Sequence, residues 1–256
     1  MSDRSRPSPV HAPLRTATDS QRRYGRTVTD AEPELMQSTQ AVPQPSLRTP
    51  EPDECEVLLI RHGRSADVVP GTPEAADPPL HVLGVEQAAA LAARLRGKTI
   101  HAVFSSHLAR ARQTAQPLAD DRGLTVEVHP ELEEVRLGDW SNGEFRRRAA
   151  ARDPEFVAWS RTGRWDGIPG GEGDDALRAR VAGVIDALVP QHQGQCIAVV
   201  AHGGSINAYI AYLFGVERSL LFTIENTSIT AVRVGPHGAT LVTVNDCHHL
   251  YDPVQP

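Results

Sequence analysis

No stretch of this sequence stays apolar for anything near the roughly 20 residues that a membrane-spanning helix needs, so none is expected. Cysteine is sparse: Cys55, Cys196 and Cys247 are the only three. An odd number without CxxC spacing argues against a disulfide framework and against a structural zinc site. A reducing cytoplasm is the expected compartment. There is no positive excess either. The formal net charge is -6, so no overall basic field draws nucleic acid or an acidic membrane surface. The N-terminus is basic, but no apolar segment follows it, so a secretory signal is not expected. No internal repeat and no heptad pattern is visible, and the oligomeric state is left open. Aromatic residues are few, and all three tryptophans (Trp140, Trp159, Trp165) fall between residues 139 and 173, which sets that stretch apart.

What is present suffices for one ordinary domain and a tail: 256 residues, of which 40% are hydrophobic. Residues 1–54 are rich in Ser, Pro, Thr, Arg and Gln and poor in large apolar residues. Such a segment cannot bury enough surface to offset the entropy of ordering it. The prediction is a disordered tail over 1–54 and a folded domain over 55–256. The tail's arginines (Arg4, Arg6, Arg15, Arg22, Arg23, Arg26) read as solvated rather than as an interaction arm, and Met36 leaves a later translational start open.

Within the domain, apolar runs alternate with helical periodicity. Val57–Ile60, Ala102–Ser105, Thr125–Val128 and Ile197–Ala201 read as strands. Leu83–Leu95, Leu108–Ala119, Asp174–Leu188 and Ser205–Phe214 read as helices, with Gly97 and Pro190 as stops. Ser228–Val234 and Thr240–Val244 read as strands joined through Gly235, Pro236 and Gly238. The 139–173 stretch is irregular, with room for short helical pieces. Alternating strands and helices predict an α/β fold, a three-layer α/β/α sandwich with a mainly parallel central sheet. Ligands of such sheets bind beyond the carboxyl ends of the strands.

Four segments with chemistry fall at those ends. Arg61-His62-Gly63-Arg64-Ser65 follows the first strand, and Arg61 offers a planar fork matched to phosphate oxygens. Gly63 lets the backbone approach a ligand. Ser105 to Ala115 enters a helix that carries Arg110 in its first turn, where free N–H groups favour anions. Leu132 to Trp140 carries Glu133 and Glu134, which are either ion-pair partners or a proton donor. Ala201-His202-Gly203-Gly204 again puts His-Gly after a buried strand. Each segment alone has a bland reading: a polar loop, a solvated helix face, an ion pair, a satisfied histidine. Four in order at strand ends are hard to explain as packing.

Together these segments resemble the histidine phosphatase superfamily, the phosphoglycerate-mutase-like proteins, over about Glu56 to Leu250. Pro79 to Gly84, Gly170-Gly171-Glu172 and Asn226-Thr227-Ser228 agree with it, and the small bacterial phosphatase branch is the most similar. The resemblance implies a phosphatase that hydrolyses a small-molecule phosphate ester through a phosphohistidine on His62. It makes His62, Glu134 and His202 catalytic, with Glu134 as general acid and base. Glu134 is preferred to Glu133 because the family's acid stands four residues before a glycine, here Gly138. Arg61, Arg110 and His202 hold the phosphoryl oxygens, and Arg64, Ser65 and Gly203 contact substrate, although Arg64 leans towards solvent. No metal and no cofactor is expected, because arginines supply the positive charge. The sequence departs from the family at Ala66-Asp67, at Trp140-Ser141-Asn142 and at His81, which leaves the substrate open. Phosphoglycerate-mutase-type transfer and a non-catalytic interaction protein on the same fold are the alternatives.

Overall fold

The computed structural model describes residues 50–251; the predicted tail lies outside the described residues except for 50–54, which turn into the first strand. The described residues form six strands and six α-helices. The strands are β1 (Cys55–Arg61), β2 (Ala102–Ser105), β3 (Val126–Val128), β4 (Cys196–Ala201), β5 (Ile229–Gly235) and β6 (Gly238–Asp246). The helices are α1 (Val82–Arg94), α2 (Ala109–Asp120), α3 (Glu144–Ala151), α4 (Pro154–Ser160), α5 (Gly173–Leu188) and α6 (Gly203–Leu213). All strands join one sheet in the order β3-β2-β4-β1-β5-β6. The pairings β1–β4, β2–β4 and β2–β3 are parallel, and β5 and β6 run antiparallel at one side. The predicted mainly parallel sheet is observed: β6, antiparallel to β5, runs the same way as β1, so β5 alone is reversed.

Strand periodicity explains the layers. Successive side chains of a strand point to opposite faces. In β1, Val57 and Leu59 join one apolar cluster with Leu177 and Ile185 of α5 and Ile206 and Tyr209 of α6. Leu58 and Ile60 join a second cluster with Leu91 of α1 and Ala111, Ala115 and Leu118 of α2. β4 splits the same way, Ile197 and Val199 to the first face, Ala198 and Val200 to the second. Strands buried on both faces read as unbroken apolar runs, which is why the sequence shows them clearly. Each fully buried Leu, Ile or Val contributes roughly 1.5–3 kcal/mol. Cys55 and Cys196 are buried free thiols that burial pushes up to about 12, which leaves them unreactive.

The 139–173 stretch folds into a 3-10 turn at Gly138–Trp140 followed by α3 and α4. The aromatic rings concentrate there: Trp140, Phe145, Phe156, Trp159 and Trp165 contact one another with centroids 5.2–6.3 Å apart. The helix ends fall within a residue of the sequence reading except at the start of α6. α6 begins at Gly203, not Ser205, so both glycines lie in its first turn. α5 ends at Leu188, as read from the sequence, and the chain then tightens into a 3-10 turn over Val189–His192, with Pro190 in its first turn, where its missing N–H costs nothing.

Register sets the functional edge. Arg61 of β1 pairs with Ala201 of β4, and Ser105 of β2 with Val200. The next residues, His62, His202 and Ser106, therefore emerge side by side. β5 is antiparallel to β1, with Ile229 opposite Ile60, so the residues before β5 reach the same edge.

Candidate active site

A cavity of about 600 Å³ opens at this edge, lined by Arg61, His62, Arg110 and Glu134, and rimmed by residues from 64–78 and 140–146.

His62 is fixed at both ring nitrogens. Nδ1 lies 2.7 Å from the Gly63 carbonyl oxygen and so carries the proton it donates there. Nε2 accepts from Arg110 Nε at 3.3 Å, which leaves it the basic nitrogen. Burial, then the charges of Arg110 and Arg61, hold the imidazole well below its ordinary value, so it is neutral at physiological pH. Its backbone is clamped too. His62 N–H donates to Ala201 O at 3.0 Å, and Asn226 Nδ2 donates to His62 O at 2.8 Å. The Gly63 N–H donates to Thr114 Oγ1 at 2.9 Å, and that hydroxyl donates to Arg110 O at 2.7 Å, tying the His62 loop to α2. Gly63 does not line the cavity. A Cβ there would meet Gly84 O at 2.7 Å, so its lack of a side chain serves the close approach of α1 rather than of a ligand.

Arg61 Nη1 donates to Ile224 O, and Arg61 Nε is buried with no partner among the described residues. Arg110 lies in the first turn of α2, as expected, and is 3.7 Å from Asp77 Oδ1. That carboxylate also takes the Ala109 N–H at 2.9 Å. The anion expected at this helix start is thus the protein's own Asp77, and a ligand would meet the Arg110 side chain instead.

His202 is fully buried behind His62, ring centroids 5.0 Å apart, and neither it nor Gly203 lines the cavity. Its Nε2 is 2.9 Å from Ser106 Oγ, which also accepts the Leu108 N–H at 3.3 Å. Its Nδ1 is buried without a partner among the described residues. Burial, followed by the neighbouring His62, Arg110 and Arg61, holds it well below the ordinary histidine value.

The two glutamates separate cleanly. Glu133 is tied to Arg136 Nε at 2.7 Å. Glu134 has no ion-pair partner among the described residues, and its Oε1 accepts N–H groups from Val135 at 3.0 Å and Gly204 at 2.9 Å, the latter in the first turn of α6. Its loop is held from behind by the part-buried pair of Arg180 and Glu172, 2.5 Å apart. Arg180 also donates to the carbonyls of Glu131, Glu133 and Glu134. Arg64 and Ser65 line the rim. The Arg64 guanidinium turns to Asp67 at 3.5 Å, in keeping with its solvent-leaning reading, and Ser65 Oγ accepts from Arg146 Nη2 at 3.0 Å.

Sequence reasoning missed Ser106, Asp77, Arg146 and Arg180, and assigned no role to Asn226. Asn226 and Glu172 were visible only as part of short matching stretches. Among the described residues no group of three or more His, Cys, Asp or Glu is placed to hold a metal ion, and no helix is long and apolar enough to cross a membrane.

A neutral imidazole with one unprotonated nitrogen, set among guanidinium groups beyond strand ends, suits attack on an anionic phosphorus centre. Comparisons with known proteins define the class. Residues 57–247 match the histidine phosphatase superfamily (branch 1), and the chain belongs to that family. Among its relatives, the Escherichia coli adenosylcobalamin/alpha-ribazole phosphatase is 32% identical, the match covering 73% of this chain and 94% of that protein. A Yersinia pestis protein named "Probable phosphoglycerate mutase GpmB" is 31% identical, over 69% of this chain and 84% of its own. Among solved structures, the mycobacterial glucosyl-3-phosphoglycerate phosphatase with VO3 superposes with a TM-score of 0.64 at 27% identity, covering 74% of this chain and 98% of that one. The fold is the phosphoglycerate-mutase-like α/β sandwich that the sequence predicts.

Proposed function

We propose that this protein is a metal-independent phosphomonoesterase for a small phosphorylated metabolite. The observation that carries the proposal is the His62 ring: Nδ1–H is committed to Gly63 O, so Nε2 carries the lone pair, and its 3.3 Å partner there is Arg110, a guanidinium that a phosphoryl group would engage in its place. In the proposed first step Nε2 attacks phosphorus in line, the P–N bond forms and the ester P–O bond breaks. Glu134 gives its proton to the departing oxygen. In the second step Glu134 takes a proton from water, the water oxygen attacks phosphorus, the P–N bond breaks and inorganic phosphate leaves. Arg61 and Arg110 neutralise the charge on the equatorial oxygens. Ser106 Oγ accepts from Leu108 N–H and gives its own hydrogen to His202 Nε2; this leaves Nδ1–H of His202, buried behind His62, as a donor that no described residue takes. Both helix starts at this edge are occupied by the protein's own carboxylates, Asp77 and Glu134, so side chains do the binding.

The cytoplasm is the proposed compartment, supported by the unpaired buried thiols of Cys55 and Cys196. Phosphoryl transfer to a second metabolite is the other reading, carried by the relative named as a mutase. A non-catalytic role is disfavoured because His62, Glu134 and both arginines line one cavity. Hydrolysis of p-nitrophenyl phosphate in EDTA tests the reading. Turnover by the wild type and its loss in His62→Ala are expected, and turnover that persists in His62→Ala, or that needs added metal, would overturn it.

A further inference from the structure

We propose that His249, which lies outside the cavity, is a positioning residue for the nucleophile, and that it acts on His62 through the strained backbone of Thr227. This rests on the reading of His62 as the group that attacks phosphorus.

The turn over 224–228, just before β5, holds the reactive segment from outside. Asn226 Nδ2 donates to His62 O at 2.8 Å. The Thr227 N–H is shared between Arg61 O at 3.0 Å and His62 O at 3.4 Å. The Arg61 N–H donates to Ser228 O at 3.3 Å, and Arg61 Nη1 donates to Ile224 O. One turn therefore fixes both the carbonyl of His62 and the guanidinium of Arg61. Thr227 stands at its centre, fully buried, with a φ of 56°. That is the left-handed region, which a β-branched side chain resists. Strain of this kind persists only where the surroundings over-determine the backbone.

The segment that follows β6 supplies those surroundings. Thr227 Oγ1 gives its own hydrogen to Asn226 O at 2.8 Å, so at 3.1 Å it accepts from His249 Nε2–H. The lone pair of His249 is then on Nδ1, which is buried with no partner among the described residues. Burial holds this ring below its ordinary value, which keeps it neutral and in that tautomer. Asn245, itself at a φ of 53°, takes the Glu225 N–H on Oδ1 at 2.8 Å and gives its own N–H to Thr230 Oγ1 at 3.1 Å. The turn is thus gripped on both sides of Asn226. Neither Thr227 nor His249 lines the cavity, so neither meets substrate. Without the His249 bond Thr227 can relax to negative φ, which swings its N–H away from the carbonyls of Arg61 and His62.

The test follows single-turnover phosphorylation of His62 by p-nitrophenyl phosphate and by an alkyl phosphate. His249→Phe keeps a ring in the half-buried site and removes the donor. It should slow phosphorylation about 10-fold at saturating ester, part of the roughly 100-fold cost of a 1 Å misplacement, with KM within about 3-fold of wild type. The loss should be the same on both esters, because the nucleophile is displaced and the acid is not. His249→Ala should show the same loss, and decides the matter if His249→Phe does not fold. His249→Gln, whose amide can donate to Thr227 Oγ1, and Thr227→Ser, which keeps the hydroxyl, should both restore the rate. Thr227→Val should match His249→Phe, and the double variant should lose no more than either. A merely structural tie predicts a lower urea midpoint with an unchanged rate per folded molecule. That result, additive losses, or no recovery in His249→Gln overturns the proposal. Hydrogen exchange of the His62 Nδ1–H, read by nitrogen NMR without any ester, tests the positioning apart from turnover. That proton, held by Gly63 O, should exchange faster in His249→Phe and at the wild-type rate in His249→Gln. If this holds while the wild type forms no phosphohistidine, the phosphatase reading alone fails. Equal exchange in all three proteins overturns the positioning role even if hydrolysis is observed.

Discussion

Gly204→Ala is expected to disable the general acid while leaving the fold intact. Gly204 lies in the first turn of α6, and its N–H donates to Glu134 Oε1 at 2.9 Å. A Cβ built at this position falls well inside 3.0 Å of that same oxygen, with Trp165 Cζ2 at 3.1 Å and Val135 Cγ1 at 3.3 Å closing the other sides. Ordinary contact is restored only if the carboxylate oxygen retreats by about 1 Å. The backbone has no objection to alanine, which gains about 0.5–1 kcal/mol of helix preference over glycine. Since the clash falls on the end of a flexible side chain, folding stability should stay within about 1 kcal/mol of wild type. Catalysis should not. A positioned acid contributes about 10²–10⁴-fold, and a misplacement near 1 Å costs about 10²-fold. For alkyl phosphates, whose alkoxide needs a proton to leave, kcat/KM should fall about 100-fold, equivalent to about 2.7 kcal/mol. For p-nitrophenyl phosphate, whose leaving group needs no proton, the loss should stay below about 10-fold. Steady-state kinetics on both esters, with urea unfolding of both proteins, checks this. Equal losses on the two esters, or full activity on both in a folded variant, would refute the assignment of Glu134 as the acid positioned by Gly204.

Other consequences can be measured separately. Glu134→Gln should reproduce the leaving-group dependence without the steric change, with poor leaving groups slowed most; an equal loss on all esters would count against it. His62 and His202 are held well below their ordinary value in the fold, so the unfolded chain binds protons that the folded state does not. Stability should therefore fall as pH drops below the unfolded value of about 6.5, by about 1.4 kcal/mol per pH unit for each histidine, until the depressed folded values are reached. These two groups contribute no slope above about pH 7.5. Urea unfolding between pH 8 and 5 reads the slope, and His62→Ala should remove one proton's share; an unchanged slope would contradict the neutral buried imidazole. Arg180→Met leaves the part-buried Glu172 without its cation, which should cost about 2–3 kcal/mol, below the range of a fully buried pair, and loosen the Glu134 loop. A loss under about 1 kcal/mol would show that the pair does not brace that loop.

Much of this architecture was legible because β1 and β4 are buried on both faces and read as unbroken apolar runs that end sharply at His62 and His202. Helical spacing marked α1, α2 and α5 for the same reason, since one apolar stripe must face the sheet. The start of α6 was not legible. Two glycines disfavour helix, and only the Glu134 carboxylate, 70 residues earlier in the chain, accounts for the N–H of Gly204. Strand order was equally hidden. Nothing local says that β4 inserts between β1 and β2, yet that insertion is what sets the two histidine rings 5.0 Å apart. Asp77, Arg146 and Arg180 were missed because each acts on residues 32 to 81 positions away. In the sequence they look like any charge on a loop or a helix face. Gly63 shows the opposite error: a glycine beside a reactive histidine suggests a ligand contact, whereas its neighbour is the α1 backbone at Gly84.

The central claim is that the Nε2 atom of His62 becomes phosphorylated, and rapid quenching of a single turnover tests it most directly. Enzyme mixed with a phosphate ester and quenched in alkali, where phosphohistidine persists, should yield one phosphoryl group on His62. Phosphorus and nitrogen NMR of the adduct should place it on Nε2, because Nδ1–H is held by Gly63 O. The adduct should be absent from His62→Ala. Turnover that proceeds with no adduct, or an adduct on Nδ1 or on another residue, would contradict the account.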